Sequence, residues 1–199
     1  MRTWVRTVRT ADHNEPAIPS RPAPALRLRG SCAFGAVRTC TGNGSHPKVI
    51  ETEGPVSQAA AFKRVTRAWG LSRVGSRIEA HLSALIPNQV TRTTDNDVTF
   101  YWPEHANPNT WDGIRVPGSD PDTRRSIDEI SLEELGNAAV YVLQQQGGTS
   151  QDGLVKAVCR LLGVARTTAE AGARISRALT HGRVQAIVAM TDGSVHLRK

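Results

Sequence analysis

A short pattern occurs twice in this chain of 199 residues and limits its possible folds more than any other feature. Arg67-x-x-Gly70-Leu71-x-Arg73 is matched by Arg160-x-x-Gly163-Val164-x-Arg166, and Arg77-Ile78-x-x-x-Leu82 by Arg174-Ile175-x-x-x-Leu179. The spacers joining the two halves of the pattern differ. The glycine permits a tight turn between helices, and an Ile and a Leu one turn apart pack the next helix onto the one before. Repetition of this kind points to duplication of one small module.

Apolar spacing supplies the elements around the pattern. From Ser57 to Trp69, Ala61, Val65, Ala68 and Trp69 recur at i, i+4, i+7 and i+8, with Lys63, Arg64 and Arg67 opposite them, which predicts an amphipathic helix with a basic outer side. Ser76 and Glu79 have the spacing of a capping box. They open a helix over 77–86 with Ile78, Leu82, Leu85 and Ile86 inward, and Pro87 marks its end. Two strands, 90–93 and 98–102, follow around Asp95-Asn96, with Val98, Phe100 and Trp102 on one face.

The later half reads the same way. Ser131 and Glu134 form a second capping-box pair before a helix that ends at Gly147-Gly148. Ser150 caps a helix carrying Leu154, Val158, Leu161 and Leu162, and a further helix carries Ala171, Ile175, Ala178 and Leu179. Segments 184–190 and 194–198 flank Asp192-Gly193 as a hairpin. The expected fold is mainly α with small β-hairpins: a tandem winged helix-turn-helix, preceded by a disordered tail. Its expected parts are a basic tail over 1–47, a first unit over 48–102, a linker over 103–127 with Trp111 docked on a neighbouring surface, and a second unit over 128–199. Residues 35–52 show no helical pattern, so the first unit reads as incomplete or as completed by a partner.

The formal charge of +7 and pI near 10.0 ordinarily suggest an acidic partner. Most of that charge sits in the tail, where seven Arg face only Asp12 and Glu15, for +5. The rest holds 18 basic against 16 acidic residues, for +2, so any cationic surface there comes from arrangement. Residues 11–47 mix five prolines with Gly, Ser and Arg and show no period, the mark of a disordered segment. Cys32, Cys40 and Cys159 include no C-x-x-C pair and read as free thiols in a reducing cytoplasm. No apolar run reaches the roughly 18 residues of a membrane span, and the Arg-rich start lacks the apolar stretch of a secretory signal.

Glu53-Gly54-Pro55-Val56-Ser57, then Arg67-Ala68-Trp69-Gly70-Leu71-Ser72-Arg73-Val74-Gly75-Ser76-Arg77-Ile78, then Phe100-Tyr101-Trp102 resemble the bacterial family named domain of unknown function 3320. Ile130-Ser131-Leu132-Glu133-Glu134-Leu135 and Leu161-Leu162-Gly163 extend the resemblance, which covers residues 48–199. It implies the C-terminal module of large superfamily 1 helicases that also carry a Vsr-like nuclease domain, with a helicase or nuclease polypeptide as partner. No catalytic residue is attributed to that module.

Chemistry-bearing motifs are sparse. The chain has no G-x-x-x-x-G-K-[ST] for ATP, and its six His are scattered without H-x-x-x-H or H-E-x-x-H spacing. The carboxylates Glu51 and Glu53, Asp95 and Asp97, and Glu133 and Glu134 fall at a chain entry, a hairpin turn and a first helical turn, where solvated or dipole-offsetting roles suffice. No catalytic residue, metal or cofactor is expected. Arginine remains: in a helix-turn-helix the last helix enters the major groove and the wing touches the backbone. Those positions are Arg73, Arg77 and His81 in the first unit and Arg166, Arg174 and Arg177 in the second, with Arg92 and Arg183 where the wings begin. The expectation is a non-catalytic nucleic-acid-binding accessory module of a helicase/nuclease system, with DNA as its ligand. The alternative is a module that docks on a helicase or nuclease protein.

Overall fold

The computed structural model describes residues 7–9, 45–120 and 123–198. In chain order they form β1 (Thr7–Arg9), α1 (Ser45–Glu53), β2 (Val56–Ser57), α2 (Gln58–Ala68), α3 (Ser76–Leu85), β3 (Arg92–Asp95), β4 (Val98–Tyr101) and β5 (Gly113–Arg115). A 3-10 turn at Ile127–Glu129 leads to α4 (Leu132–Gln146), β6 (Thr149–Ser150), α5 (Gln151–Leu161), α6 (Ala169–Leu179), α7 (Val184–Ile187), β7 (Val188–Thr191) and β8 (Ser194–Leu197). The protein is thus mostly helical with small antiparallel sheets. It divides into two compact units: the first ends at Asn107 and holds α1 to β4, and the second begins at Pro108 and also takes in β1.

Each unit runs helix, short strand, helix, helix, hairpin. In each, the last strand of the hairpin is central and pairs with the short strand, giving β2-β4-β3 and β6-β8-β7. Val56 pairs with Tyr101 in the first sheet and Thr149 with Val195 in the second. The helix that residues 35–52 were expected to lack is present as α1, which buries Ile50 against α2. Pro47 obscured it: proline is tolerated in a first helical turn, where its missing N–H has no intrahelical partner to lose.

The same end caps hold the helix before the turn in both units. Ser57 Oγ accepts from Ala60 N at 3.3 Å, and Ser150 Oγ from Gly153 N at 3.2 Å. At the other end Gly70 (φ 76°) and Gly163 (φ 65°) adopt the left-handed conformation. Leu71 N–H then donates to Thr66 O at 2.9 Å and Val164 N–H to Cys159 O at 2.9 Å, while Gly70 and Gly163 N–H donate to Arg67 O and Arg160 O. This paired bonding satisfies the last carbonyls and turns the chain sharply. α6 begins one turn earlier than α3 relative to the shared Arg-Ile-x-x-x-Leu, which accounts for the unequal spacers.

Several sequence expectations shift in detail. Gly75, not Ser76, is the N-cap of α3 and makes no side-chain cap, so no capping box forms there. Ser131 does cap α4, but the Glu134 side chain turns elsewhere; the complete capping box is Ser126 with Glu129. Thr66 is buried in α2 while Ala68 is exposed. The first hairpin turns on Asn96 and Asp97 (φ 44° and 66°), one residue later than expected, and the second on Asp192-Gly193 as expected. Val184–Ile187, expected as strand, is helical. The expected disordered tail lies outside the described residues apart from residues 7–9 and 45–47.

Segment 103–127, expected as a linker, carries structure. Ile114 on β5 is fully buried in the second unit's core, and Trp111 is half-buried with its carbonyl accepting from Asn137 Nδ2 at 3.0 Å. The reason is Glu134, fully buried in the first turn of α4. Its Oε1 accepts from Arg115 N (2.8 Å), Arg115 Nε (3.2 Å) and Arg125 Nη2 (2.8 Å), and its Oε2 from Arg115 Nη2 (2.8 Å) and Arg125 Nη1 (2.7 Å). Burial alone would raise the Glu134 pKa. Attraction to Arg115 and Arg125 and their hydrogen bonds outweigh it and hold the pKa at about 2 instead of 4.5.

Two predictions follow from this packing. A depressed carboxylate pKa stabilises the fold above the ordinary pKa, and that stability is lost as pH falls from about 4.5 to about 2, amounting to about 3 kcal/mol. Glu134→Gln should cost about 3–5 kcal/mol in urea unfolding at pH 7, because two buried guanidiniums lose their counter-ion, and should flatten the acid limb between those pH values. Gly70→Ala should cost only the left-handed backbone strain, about 1–2 kcal/mol, since a Cβ there meets nothing. Gly163→Ala should cost more, because its Cβ would collide with the Pro117 ring.

Candidate nucleic-acid interface

α3 is the least enclosed of the long helices. Leu82 is its only buried residue, with Ile78 half-buried and Ile86 buried just beyond its end. At about 100° per residue, Ile78, Leu82 and Ile86 define the inward arc, and Arg77, Ala80, His81 and Ala84 lie opposite, all exposed. Glu79 sits about 200° around the helix from Arg77, where Gln58 Nε2 of α2 donates to its Oε1 at 3.3 Å. The one acidic side chain of α3 is therefore drawn toward α2, away from the Arg77 and His81 face. Arg73, in the turn before the helix, is also exposed. Arg77 and His81, with the small Ala80 and Ala84 beside them, form a narrow surface that can approach a groove closely.

Arg92 plays a different part. Its Nη2 donates to Ile86 O (3.3 Å) and Pro87 O (3.1 Å), its Nη1 to Asn88 O (3.3 Å) and Val90 O (3.4 Å), and its guanidinium lies 5.7 Å from the Tyr101 ring centroid. It ties off the carbonyls at the C-terminal end of α3, where a cation also offsets the helix dipole. The hairpin tip beyond it carries Asp95 and Asp97, a poor match to phosphate.

In the second unit α6 buries Ala171, Arg174, Ile175, Ala178 and Leu179. Arg174, expected outward, is corrected: it is 3% exposed and its Nη2 donates to Ile130 O at 2.8 Å, because α6 lies deep against α4. Arg177 is half-buried and has a contact of its own. Arg183 is half-buried too, its Nη2 donating to Asn137 Oδ1 at 2.9 Å. Arg166, in the turn between α5 and α6, is exposed. Of the eight positions chosen from sequence, Arg77 and His81 are exposed on α3, Arg73 and Arg166 are exposed in the turns before α3 and α6, Arg177 is half-buried, and Arg92, Arg174 and Arg183 are bonded within the fold.

Seven exposed cations among the described residues were not among those eight, and four of them fall at equivalent places in the two units: Lys63 and Arg67 on the outer side of α2, and Lys156 and Arg160 on that of α5. The signal for them is the repeat itself, extended upstream. Other chemistry is thin. Burial pushes the Cys159 thiol up, which disfavours a nucleophilic thiolate, and Cys32 and Cys40 lie outside the described residues. Among the described residues no group of three or more His, Cys, Asp or Glu is placed to hold a metal, and no helix is long and apolar enough to cross a membrane.

Residues 47–80 match the family described as Protein of unknown function (DUF3320). The match spans α1, β2, α2, the glycine turn and the first half of α3, including Arg73 and Arg77, and is shorter than the 48–199 over which the resemblance was expected. No curated protein and no solved structure matches the chain.

The repeat makes Arg77 and Arg174 equivalent, yet their surroundings differ, and stability should report it. Arg77→Ala should change the unfolding free energy by less than about 0.5 kcal/mol. Arg174→Ala should cost about 1–3 kcal/mol in the same chemical denaturation, since it leaves the buried Ile130 carbonyl without its donor.

Proposed function

We propose that this chain is a non-catalytic nucleic-acid-binding accessory module built of two winged helix-turn-helix units, and that its first unit contacts duplex DNA through α3. The carrying observation is the outward face of α3, where Arg77 and His81 stand among alanines on a helix that buries a single residue. Element order supports the reading: helix, strand, helix, helix and hairpin, with the final strand pairing the first, is the arrangement in which the third helix is offered to a major groove. An Arg there can meet guanine O6 and N7 bidentately, and an Ala can lie against a thymine methyl. Arg73 would meet phosphate beside it. The acidic tip at Asp95 and Asp97 makes the hairpin a spacer in this reading, not a wing that grips the backbone.

The second unit is read as the structural partner in sequence, since its third helix is packed inward. The resemblance read from the sequence implies a helicase or nuclease polypeptide as the module's partner, while the matched family is described only as a protein of unknown function. A docking role drew part of its support from the first unit lacking its first helix; α1 occupies that place.

Fluorescence anisotropy of a labelled duplex with the full chain tests the proposal. Arg77→Ala with His81→Ala should weaken binding roughly 10- to 100-fold and relax base preference, with circular dichroism unchanged. Failure of the wild-type chain to bind any duplex at low salt, or equal binding by the double variant, overturns it.

A further inference from the structure

Superposed without a gap, Ser57–Arg73 and Ser150–Arg166 are identical at seven positions, and the structure accounts for four of them. Ser57 and Ser150 are N-caps; Val65 and Val158 are buried core; Gly70 and Gly163 are the left-handed terminators. Gln58 and Gln151 tie the helix start to the next helix at equivalent places, Gln58 to Glu79 at 3.3 Å and Gln151 to Ser176 at 2.7 Å.

The other three pairs are Lys63 with Lys156, Arg67 with Arg160 and Arg73 with Arg166, and all six side chains are exposed. Arg67 and Arg160 stand in a last helical turn, where a cation gains only ~0.3–1 kcal/mol from the dipole. Lys63 and Lys156 sit mid-helix, and Arg73 and Arg166 lie beyond the helix, where that gain vanishes. Arg64 supplies the contrast: its Nε is bonded to Glu53 Oε2 at 3.0 Å, and its counterpart is Ala157. The ion-paired Arg64 was not kept in both copies, while the exposed Lys63 and Arg73 were, together with Arg67, which also has a contact of its own. Core residues at neighbouring positions have changed freely, Phe62 to Val155 and Trp69 to Leu162.

We infer that each unit carries a phosphate-binding tripod, Lys63–Arg67–Arg73 in the first and Lys156–Arg160–Arg166 in the second, whose ligand is the sugar-phosphate backbone of duplex DNA. Lys63 and Arg67, like Lys156 and Arg160, are four residues apart and so share one helix face, and the third cation follows in the adjoining turn. In a helix-turn-helix the helix before the turn crosses the backbone, so this face meets phosphates. The inference rests on the nucleic-acid reading above and deepens it: α3 supplies base contacts in the first unit alone, whereas both units supply backbone contacts. The second unit then binds DNA without reading it.

Salt dependence separates the two. For the full chain on a labelled duplex, the slope of log K against log salt should fall by about 1–2 in Lys63→Gln/Arg67→Gln and by a similar amount in Lys156→Gln/Arg160→Gln, at ~0.9 per phosphate contact. Preference among duplex sequences should stay unchanged in both, and Arg64→Gln should leave the slope alone. Binding that weakens in the Arg77/His81 variant while both tripod variants keep the wild-type slope overturns this inference and spares the proposed function. An equal loss of slope in Arg64→Gln also overturns it, since general charge would then suffice. No duplex binding by the wild-type chain, with tripod-dependent binding to polyglutamate, replaces nucleic acid by an acidic protein surface and overturns both.

Discussion

The left-handed glycine that ends the second helix of each unit sets the direction of everything after it. With Gly70 and Gly163 at positive φ, the last carbonyls of α2 and α5 are satisfied by the two residues that follow, so the chain leaves the helix at a fixed angle. The next helix can then lay its Ile and Leu, Ile78 and Leu82 or Ile175 and Leu179, on the helix just completed. Ser57 and Ser150 fix the opposite end and, as residues of β2 and β6, lock each helix to a sheet whose centre is the last strand. One turn geometry and one cap thus generate the same topology twice from halves that share few core residues.

What differs between the copies is how far the third helix sinks. α6 packs along the fifteen-residue α4, while the nine-residue α1 packs on α2, with Ile50 its buried side chain among residues 48–53. Packing on α4 lets α6 bury five residues and draws Arg174 into a bond with a backbone carbonyl, whereas α3 buries Leu82 alone. The buried Glu134 with Arg115 and Arg125 completes the contrast: it fastens the segment before α4 to that helix and has no counterpart in α1. A buried ion cluster of this sort fixes one arrangement more than it adds net stability, because desolvation consumes much of its attraction.

Much of this was legible in the residues. Five of the long helices and both hairpins follow from apolar spacing and turn residues, since those signals are local. α1 was not legible, because a nine-residue helix with a proline in its first turn, and with Ile50 alone buried among residues 48–53, has no stripe to read. The place of 113–125 was hidden for a different reason: a run of Arg, Pro and Asp resembles a linker unless a buried carboxylate, nineteen residues after Arg115, is known to receive its arginines. For the candidate site, helical periodicity assigned Arg77 and His81 outward, and both are exposed, as is Arg73 in the turn before them. The same logic failed at Arg174, because a long guanidinium on the margin of an apolar stripe can reach inward to a carbonyl that only tertiary packing brings near.

Net charge was a weak guide to function here, since the units are close to neutral and arginines such as Arg92, Arg115, Arg125 and Arg174 are consumed by the fold. Duplication offers a sharper filter. Two copies of one module face the same folding requirements, so a side chain kept in both for packing should be buried, capping or conformationally special. Retained residues that meet none of those descriptions need another cause. Lys63 and Arg73 with their partners Lys156 and Arg166 fall in that class, and their common sign is the property that a polyanion would select. The retention of these cations is independent of how far α3 or α6 is buried, and it holds in the second unit even though its third helix is packed inward.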